Sequence, residues 1–448
     1  MKKFLIVILA LIIIALLMVW HGTRVPSSAF DNSKNENPVS DALIHQGEYV
    51  ARAADCVACH STPESEPFAG GLEMATPLGS IFATNITPDK TTGIGRYSLA
   101  DFERAVRQGV TPDGKRLYPA MPYPSYEKMT DADIEALYAY FMHGVEPVIQ
   151  ENKDSTIPWP MNMRWPLAYW NVLFTEDGVY QPDSSKDERW NRGAYLVQGA
   201  GHCGSCHTER GFAMQEKALS DASDKYLSGA TLDGWYAPSL RDDHNTGLGR
   251  WSEEDIAQFL KEGRNEHAVV YGSMTDAYNN STQFLSDEDL KAIAHYLKSL
   301  PGDPQRDGAP WSYDATTADK LAVNNRASVA GAQIYYDHCS ACHGNDGLGK
   351  GKWIPPLAGS ASSLAPTPVS SINATLNGSG RVVTAGVPDS YRMPPYRKQL
   401  KDEEIAEVLS FIRTAWGNTG GTVTAEEVAH LRADTDPASS DVIVLQMR

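Results

Sequence analysis

The sequence predicts an all-α chain of three tandem small domains behind an N-terminal apolar helix. All six cysteines fall in three copies of one C-x-x-C-H block: DCVACH at 55–60, HCGSCH at 202–207 and HCSACH at 338–343. Downstream of each block lies a segment whose apolar residues recur at i, i+3, i+4, i+7, the period of a helix with one buried face. Stretches with the two-residue alternation of a half-buried strand are scarce.

The elements follow in order. After Met1-Lys2-Lys3 comes FLIVILALIIIALLMVW, residues 4–20, without a charge. It reads either as a secretory signal, with Ser27-Ser28-Ala29 as the break, or as an uncleaved anchor, the favoured reading. Either way the lysines stay in the cytoplasm and the chain beyond them is exported. Residues 1–38 comprise this segment and a polar tether. Three domains are expected at 39–150, 189–302 and 326–418, with connectors at 151–188 and 303–325 and a tail at 419–448. The first connector contains IPWPMNMRWPLAYWNVLF, which reads as packing between the first two domains or as a docking surface. The second connector is polar, and the tail holds one short helix capped by Thr424.

Each domain opens with a glycine-bearing helix: Gly47 with Tyr49, Gly193 with Tyr195, and Gly331 with Tyr335. Small residues there would let that helix cross the closing one at short range. The closing helices bury Ile134, Leu137, Tyr138 and Phe141; Leu290, Ile293, Ala294 and Leu297; and Ile405, Val408, Leu409 and Ile412. Thr130 and Ser286 are expected N-caps, each three residues before an aspartate, and in the third copy Asp402 is expected to cap. TTGIGRYS at 91–98 and NTGLGRWS at 245–252 form an internal repeat, each leading into a helix capped by Ser98 or Ser252 and stopped by Gly109 or Gly263. Neither carries a third glycine in dinucleotide-binding register.

The blocks themselves carry the chemistry. Structural zinc needs four ligands, usually from two paired clusters, and each block offers three. A redox C-x-x-C would sit in a βαβ context, and disulfides would not call for the repeated histidine. Covalent haem attachment uses every residue: one helical turn brings both thiols to one porphyrin edge, and the histidine binds the iron. Cys56, Cys59, Cys203, Cys206, Cys339 and Cys342 are the attachment residues, and His60, His207 and His343 the proximal ligands. A six-coordinate haem needs a second axial ligand, often methionine, on a downstream loop. Met121 in YPAMPYP and Met393 in RMPPYR stand on proline-stiffened loops, and Met274 in YGSMTDAY is the third candidate, with His267 as its rival. Met129, Met142, Met161 and Met163 read as core or surface. Arg96 and Arg250 have the fork geometry for haem propionates, against the alternative of a solvated turn.

Over nearly its whole exported length the chain resembles the three-haem cytochrome c subunit of bacterial membrane-bound dehydrogenases for alcohols, aldehydes, gluconate, sorbitol or fructose. NITPDKTTGIGRYS, YPAMPYPSY, MRWPLAYWNVLF, YLVQGAGHCGSCHT, CHGNDGLG with PPLAG, and RMPPYRKQL with AWGN carry the likeness. The resemblance implies three cytochrome c-type domains, three haem c groups, and the ligand pairs His60/Met121, His207/Met274 and His343/Met393. It also implies a flavo- or quinoprotein dehydrogenase partner, with ubiquinone or another respiratory acceptor taking the electrons. This subunit would transfer electrons without substrate chemistry of its own, at the periplasmic face of the cytoplasmic membrane and held there by its N-terminal helix.

A net charge of −17 argues against nucleic acid as a partner and fits a partner with a basic patch. Two rival functions remain at this level. One is a carrier serving a terminal oxidase without a dedicated dehydrogenase; the other is a haem enzyme with an open distal site.

Overall fold

The computed structural model describes residues 2–33, 39–63, 65–176, 178–322 and 326–437. The end of the expected tail, with parts of the tether and second connector, lies outside them. The chain divides into two compact units: Met1–Pro182 with Gln198–His202, and Asp183–Val197 with Cys203–Val444. The first unit carries the first block; the second carries the other two.

One crossing organises all three domains. The opening helices Asp41–Ala53 and Glu188–Gln198 and the helix Ala332–His338 pack on the closing helices Asp131–His143, Asp287–Lys298 and Asp402–Thr414. A Cβ at Gly47 would lie 1.9 Å from the Ala136 carbonyl oxygen; at Gly193, 2.0 Å from that of Ala292; at Gly331, 2.2 Å from that of Glu407. Any side chain there would drive the helices apart, so hydrogen is the only substituent that fits. The expected stripes are buried except at Tyr138, which is half-buried, with Ile134, Leu137, Leu290, Leu297, Ile405 and Val408 among the core residues.

Capping follows the sequence at most ends. Ser98 with Asp101 and Ser252 with Asp255 form reciprocal capping boxes, and Gly109 and Gly263 end those helices at φ 62° and 71°. Thr130 and Ser286 accept from the N–H groups of Asp133 and Asp289. In the third domain the expected Asp402 cap is wrong. The N-cap position is Lys401, whose N–H donates to the Glu404 carboxylate at 2.8 Å. Asp402 instead accepts from Arg432 at 2.7 Å, fastening the Thr424-capped helix Ala425–Asp434 to the third domain.

The expected fold class needs one addition and one correction. The chain is helical as expected, and each domain adds a short antiparallel hairpin: Glu73–Thr76 with Gly79–Phe82, Ala230–Leu232 with Trp235–Ala237, and Val383–Thr384 with Val387–Pro388. The second and third turn through pairs at positive φ, Asp233-Gly234 (50°, 74°) and Ala385-Gly386 (50°, 79°), the geometry that matches strand twist. The strands are too short to show alternation. Secondly, residues 4–20 lie in a helix, Lys2–Gly22, yet among the described residues no helix is long and apolar enough to cross a membrane. The uncharged run, residues 4–20, is shorter than the ~20 residues typical of a membrane span. Anchoring through this helix is therefore withdrawn.

The connectors are more firmly packed than polar spacers. Helix Leu167–Phe174 of the first lies on the first domain, where Asn171 accepts from the Tyr123 hydroxyl at 2.8 Å. In the second, Asp307 receives the Asn245 N–H at 2.7 Å, and Thr317 receives that of Trp416 at 2.7 Å.

Candidate haem sites

Each C-x-x-C-H block folds into one helical turn. The N–H of His60 donates to the Cys56 carbonyl at 3.0 Å, that of His207 to Cys203 at 3.0 Å, and that of His343 to Cys339 at 2.9 Å. Residues three apart on such a turn share a side, so each pair of sulfurs lies beside its histidine. None of the six cysteines is in a disulfide; the first of each pair is partly buried and the second exposed. Burial pushes the Cys56, Cys203 and Cys339 thiols up to about 12. Burial thus disfavours the thiolate form that a bare metal ion would need, and among the described residues no cluster of three or more His, Cys, Asp or Glu could hold a metal ion.

The histidines share two further restraints. Nδ1 of His60 lies 2.7 Å from the Thr84 carbonyl oxygen, that of His207 2.7 Å from Pro238, and that of His343 3.0 Å from Pro355. A carbonyl only accepts, so Nδ1 carries the proton and Nε2 keeps its lone pair for a metal. Burial also lowers the pKa of all three rings, favouring the neutral, ligating form. On the backbone, the His60, His207 and His343 carbonyls accept from the N–H groups of Gly70 (2.7 Å), Gly229 (2.8 Å) and Gly349 (3.0 Å). These glycines have φ of 79°, 90° and 70°. A Cβ at Gly70 would lie 2.4 Å from the Thr84 carbonyl carbon, and one at Gly349 2.7 Å from the Pro355 oxygen. Each glycine thus lets the acceptor strand come up beneath the imidazole.

The candidate methionines are partly buried. Met121 precedes the short helix Tyr123–Tyr126, and Tyr126 reaches back from it to donate to the Ala54 carbonyl at 2.7 Å, two residues before Cys56. Tyr396, three residues after Met393, donates to the His338 carbonyl at 2.7 Å, immediately before Cys339. In these two domains a tyrosine therefore ties the methionine segment to the cysteine turn. Met274 begins the helix Met274–Asn280 and packs against Val270, Tyr278 and Val382. Its rival His267 is stacked on Trp251 at 5.1 Å with Nε2 3.4 Å from Asp255, which occupies it elsewhere. Met129 is buried, while Met161 and Met163 are exposed.

The arginine expectation fares differently. Arg250 donates from Nε to the His244 carbonyl at 2.8 Å, reaches the Gly359 carbonyl, and lies 5.0 Å from the Trp311 ring centroid. It straps the second domain to the third. Arg96 is exposed.

Two thiols and a neutral imidazole with an available Nε2, repeated three times, suit a porphyrin joined through two thioethers and one axial nitrogen. Sequence reasoning missed the carbonyls of Thr84, Pro238 and Pro355, the three glycines, and Tyr126 and Tyr396. Backbone acceptors leave no residue signature, and the glycines stand downstream of the blocks at no fixed spacing.

The sequence pattern of the cytochrome c family matches residues 44–144, 191–301 and 328–416. The chain is 51% identical over 410 residues to the cytochrome c subunit of a quinone alcohol dehydrogenase from Gluconacetobacter polyoxogenes, covering 90% of this chain and 87% of that one. It is 50% identical over 428 residues to the gluconate 2-dehydrogenase cytochrome c subunit of Pantoea cypripedii, covering 92% and 96%. The fructose dehydrogenase cytochrome subunit of Gluconobacter japonicus is 37% identical over 411 residues, covering 87% and 82%. With three matched domains, three attachment turns and no other cysteines, the chain belongs to the cytochrome c family and carries three haem c groups.

Proposed function

We propose that this chain is the electron-relaying subunit of a dehydrogenase that oxidises an alcohol or a sugar acid, passing electrons from a flavin- or quinone-bearing partner to ubiquinone or another respiratory acceptor. The carrying observation is the 50–51% identity to alcohol and gluconate dehydrogenase cytochrome subunits across most of both chains. Bound haem c supplies one-electron exchange between ferrous and ferric iron. The protein's part is to hold each group still and set its potential. In this reading the paired cysteines fix the porphyrin edge, and His60, His207 and His343 present Nε2, oriented by their carbonyl bonds. Met121, Met274 and Met393 would hold the iron through their thioether sulfurs, a ligand type that would raise its potential and close it to other ligands.

Export to the periplasmic side belongs to the same proposal, supported by Lys2-Lys3 ahead of the apolar run. Near-equal identity to the alcohol and gluconate relatives leaves the substrate to the partner. The test is purification of the native complex, followed by anaerobic addition of ethanol, gluconate or fructose while haem absorbance is recorded. Rapid reduction by one of them is expected. Isolation without any dehydrogenase, together with reduction only by other carriers, would point to a free carrier. Carbon monoxide binding to the reduced native protein would point to an enzyme with an open haem.

A further inference from the structure

The second unit contains contacts that the relay reading leaves unexplained. Helix Met274–Asn280 and the short turn Thr282–Phe284 after it present two buried amides to a strand of the third domain. Asn279 donates to the Arg381 carbonyl at 2.9 Å and accepts from the Val383 N–H at 2.9 Å. Gln283 repeats the pattern one step on, donating to the Val383 carbonyl at 2.9 Å and accepting from the Ala385 N–H at 3.0 Å. The two side chains thus take the place of a neighbouring strand, satisfying alternate backbone groups from 381 to 385. Both are nearly sealed from solvent, at 1% and 8% exposure. The Tyr278 hydroxyl adds a bond of 2.8 Å to Thr384, and Val382 closes the small core in which Met274 is packed.

The gripped strand leads directly to the other methionine. Ser379, two residues before Arg381, receives the Met393 N–H on its hydroxyl at 3.0 Å and donates its own N–H to the Met393 carbonyl at 3.2 Å. Thr275, next to Met274, meets the same stretch, because a Cβ at Gly380 would lie 3.2 Å from its methyl. Both methionine-bearing segments are therefore fastened to residues 379–385, one by amide brackets and one by Ser379.

We infer that the distal sides of the second and third haem sites form one shared clamp, in which Asn279 and Gln283 are positioning residues for both Met274 and Met393. The inference rests on the methionine-ligand reading above. Because an amide that loses one arm leaves a buried backbone group unpaired, a lesion at either residue displaces the strand and with it both sulfur-bearing segments. Met121 lies in the other unit, on a loop that these amides do not touch, and serves as the internal reference.

The test uses the full chain with all three haems, read by spectroelectrochemical titration, by the methionine-to-iron charge-transfer absorption, and by carbon monoxide binding to the reduced protein. Met274→Ala and Met393→Ala come first. Each is expected to open one haem to carbon monoxide, and if neither does, the ligand reading fails before the clamp is tested. Asn279→Ala is then expected to lower two of the three potentials and weaken two of the three absorption bands, leaving the third unchanged. Asn279→Asp and Gln283→Glu keep side-chain volume while turning a donor into an acceptor facing a carbonyl; they are expected to give the same two-haem signature and serve if the alanine variant does not fold. A shift at one haem only, no shift, or equal disturbance of all three in every variant that folds would overturn the clamp.

Discussion

The methionine-bearing loops of the first and second domains are held by different means although the domains share one plan. In the first, the aromatic connector does the holding. Arg164 lies over the Tyr118 ring at 3.4 Å and donates to the Arg116 carbonyl at 3.0 Å, and Asn171 receives the Tyr123 hydroxyl. In the second, the support comes from a strand of the third domain through Asn279 and Gln283. Beneath both, the same tyrosine role recurs: a Cβ at Gly109 would meet the Tyr123 ring at 2.7 Å, and one at Gly263 the Tyr278 ring at 3.0 Å. The histidine side is built almost identically in each copy; the methionine-bearing segment is left to whatever lies next to it. That division lets three centres keep one attachment chemistry while each acquires its own environment.

The comparison can be broken most severely at what the domains share. Gly47→Val and Gly193→Val should each cost more than about 3 kcal/mol, since overpacking here meets backbone and not a movable side chain; haem content and unfolding midpoint would report it, and tolerance of either would refute the crossing. A sharper contrast lies beneath the histidines. Gly70→Ala should destabilise by about 2–3 kcal/mol and Gly229→Ala by about 1–2 kcal/mol, both being strained at positive φ. The difference arises because Gly70 faces backbone at 2.4 Å, whereas the nearest atom to Gly229 is the Tyr236 hydroxyl at 3.0 Å. Equal losses by denaturant titration would remove that distinction. Arg164→Leu should cost about 1–2 kcal/mol through its ring contact and hydrogen bond. Its spectral consequences should be confined to one haem, and disturbance of a second would erase the proposed difference in support. Smallest are Ser98→Ala and Ser252→Ala, about 1 kcal/mol each and alike; unequal values by thermal unfolding would show that the two repeated turns are not equivalent.

Much of this was legible in residue types. C-x-x-C-H spacing, stripe periodicity, the capping serines at 98 and 252 and the crossing glycines all depend on side-chain identity, and each left a readable trace. The hairpins escaped because two to four residues per strand cannot display alternation, although Leu-Asp-Gly-Trp at 232–235 held a turn signal that was passed over. Arg250 shows another limit: its residue type gives no sign of the His244 and Gly359 carbonyls or the Trp311 face, which tertiary packing brings to it. Lys401 shows the same limit at a helix end, where Glu404 reaching back stands in for the missing cap.

The acceptors beneath the imidazoles belong to a threonine and two prolines, residues with nothing in common beyond a peptide oxygen. Mutation at these positions changes the side chain but cannot delete that oxygen. The orientation of each ring is thus sheltered from sequence drift, and only a change in the path of the main chain could disturb it.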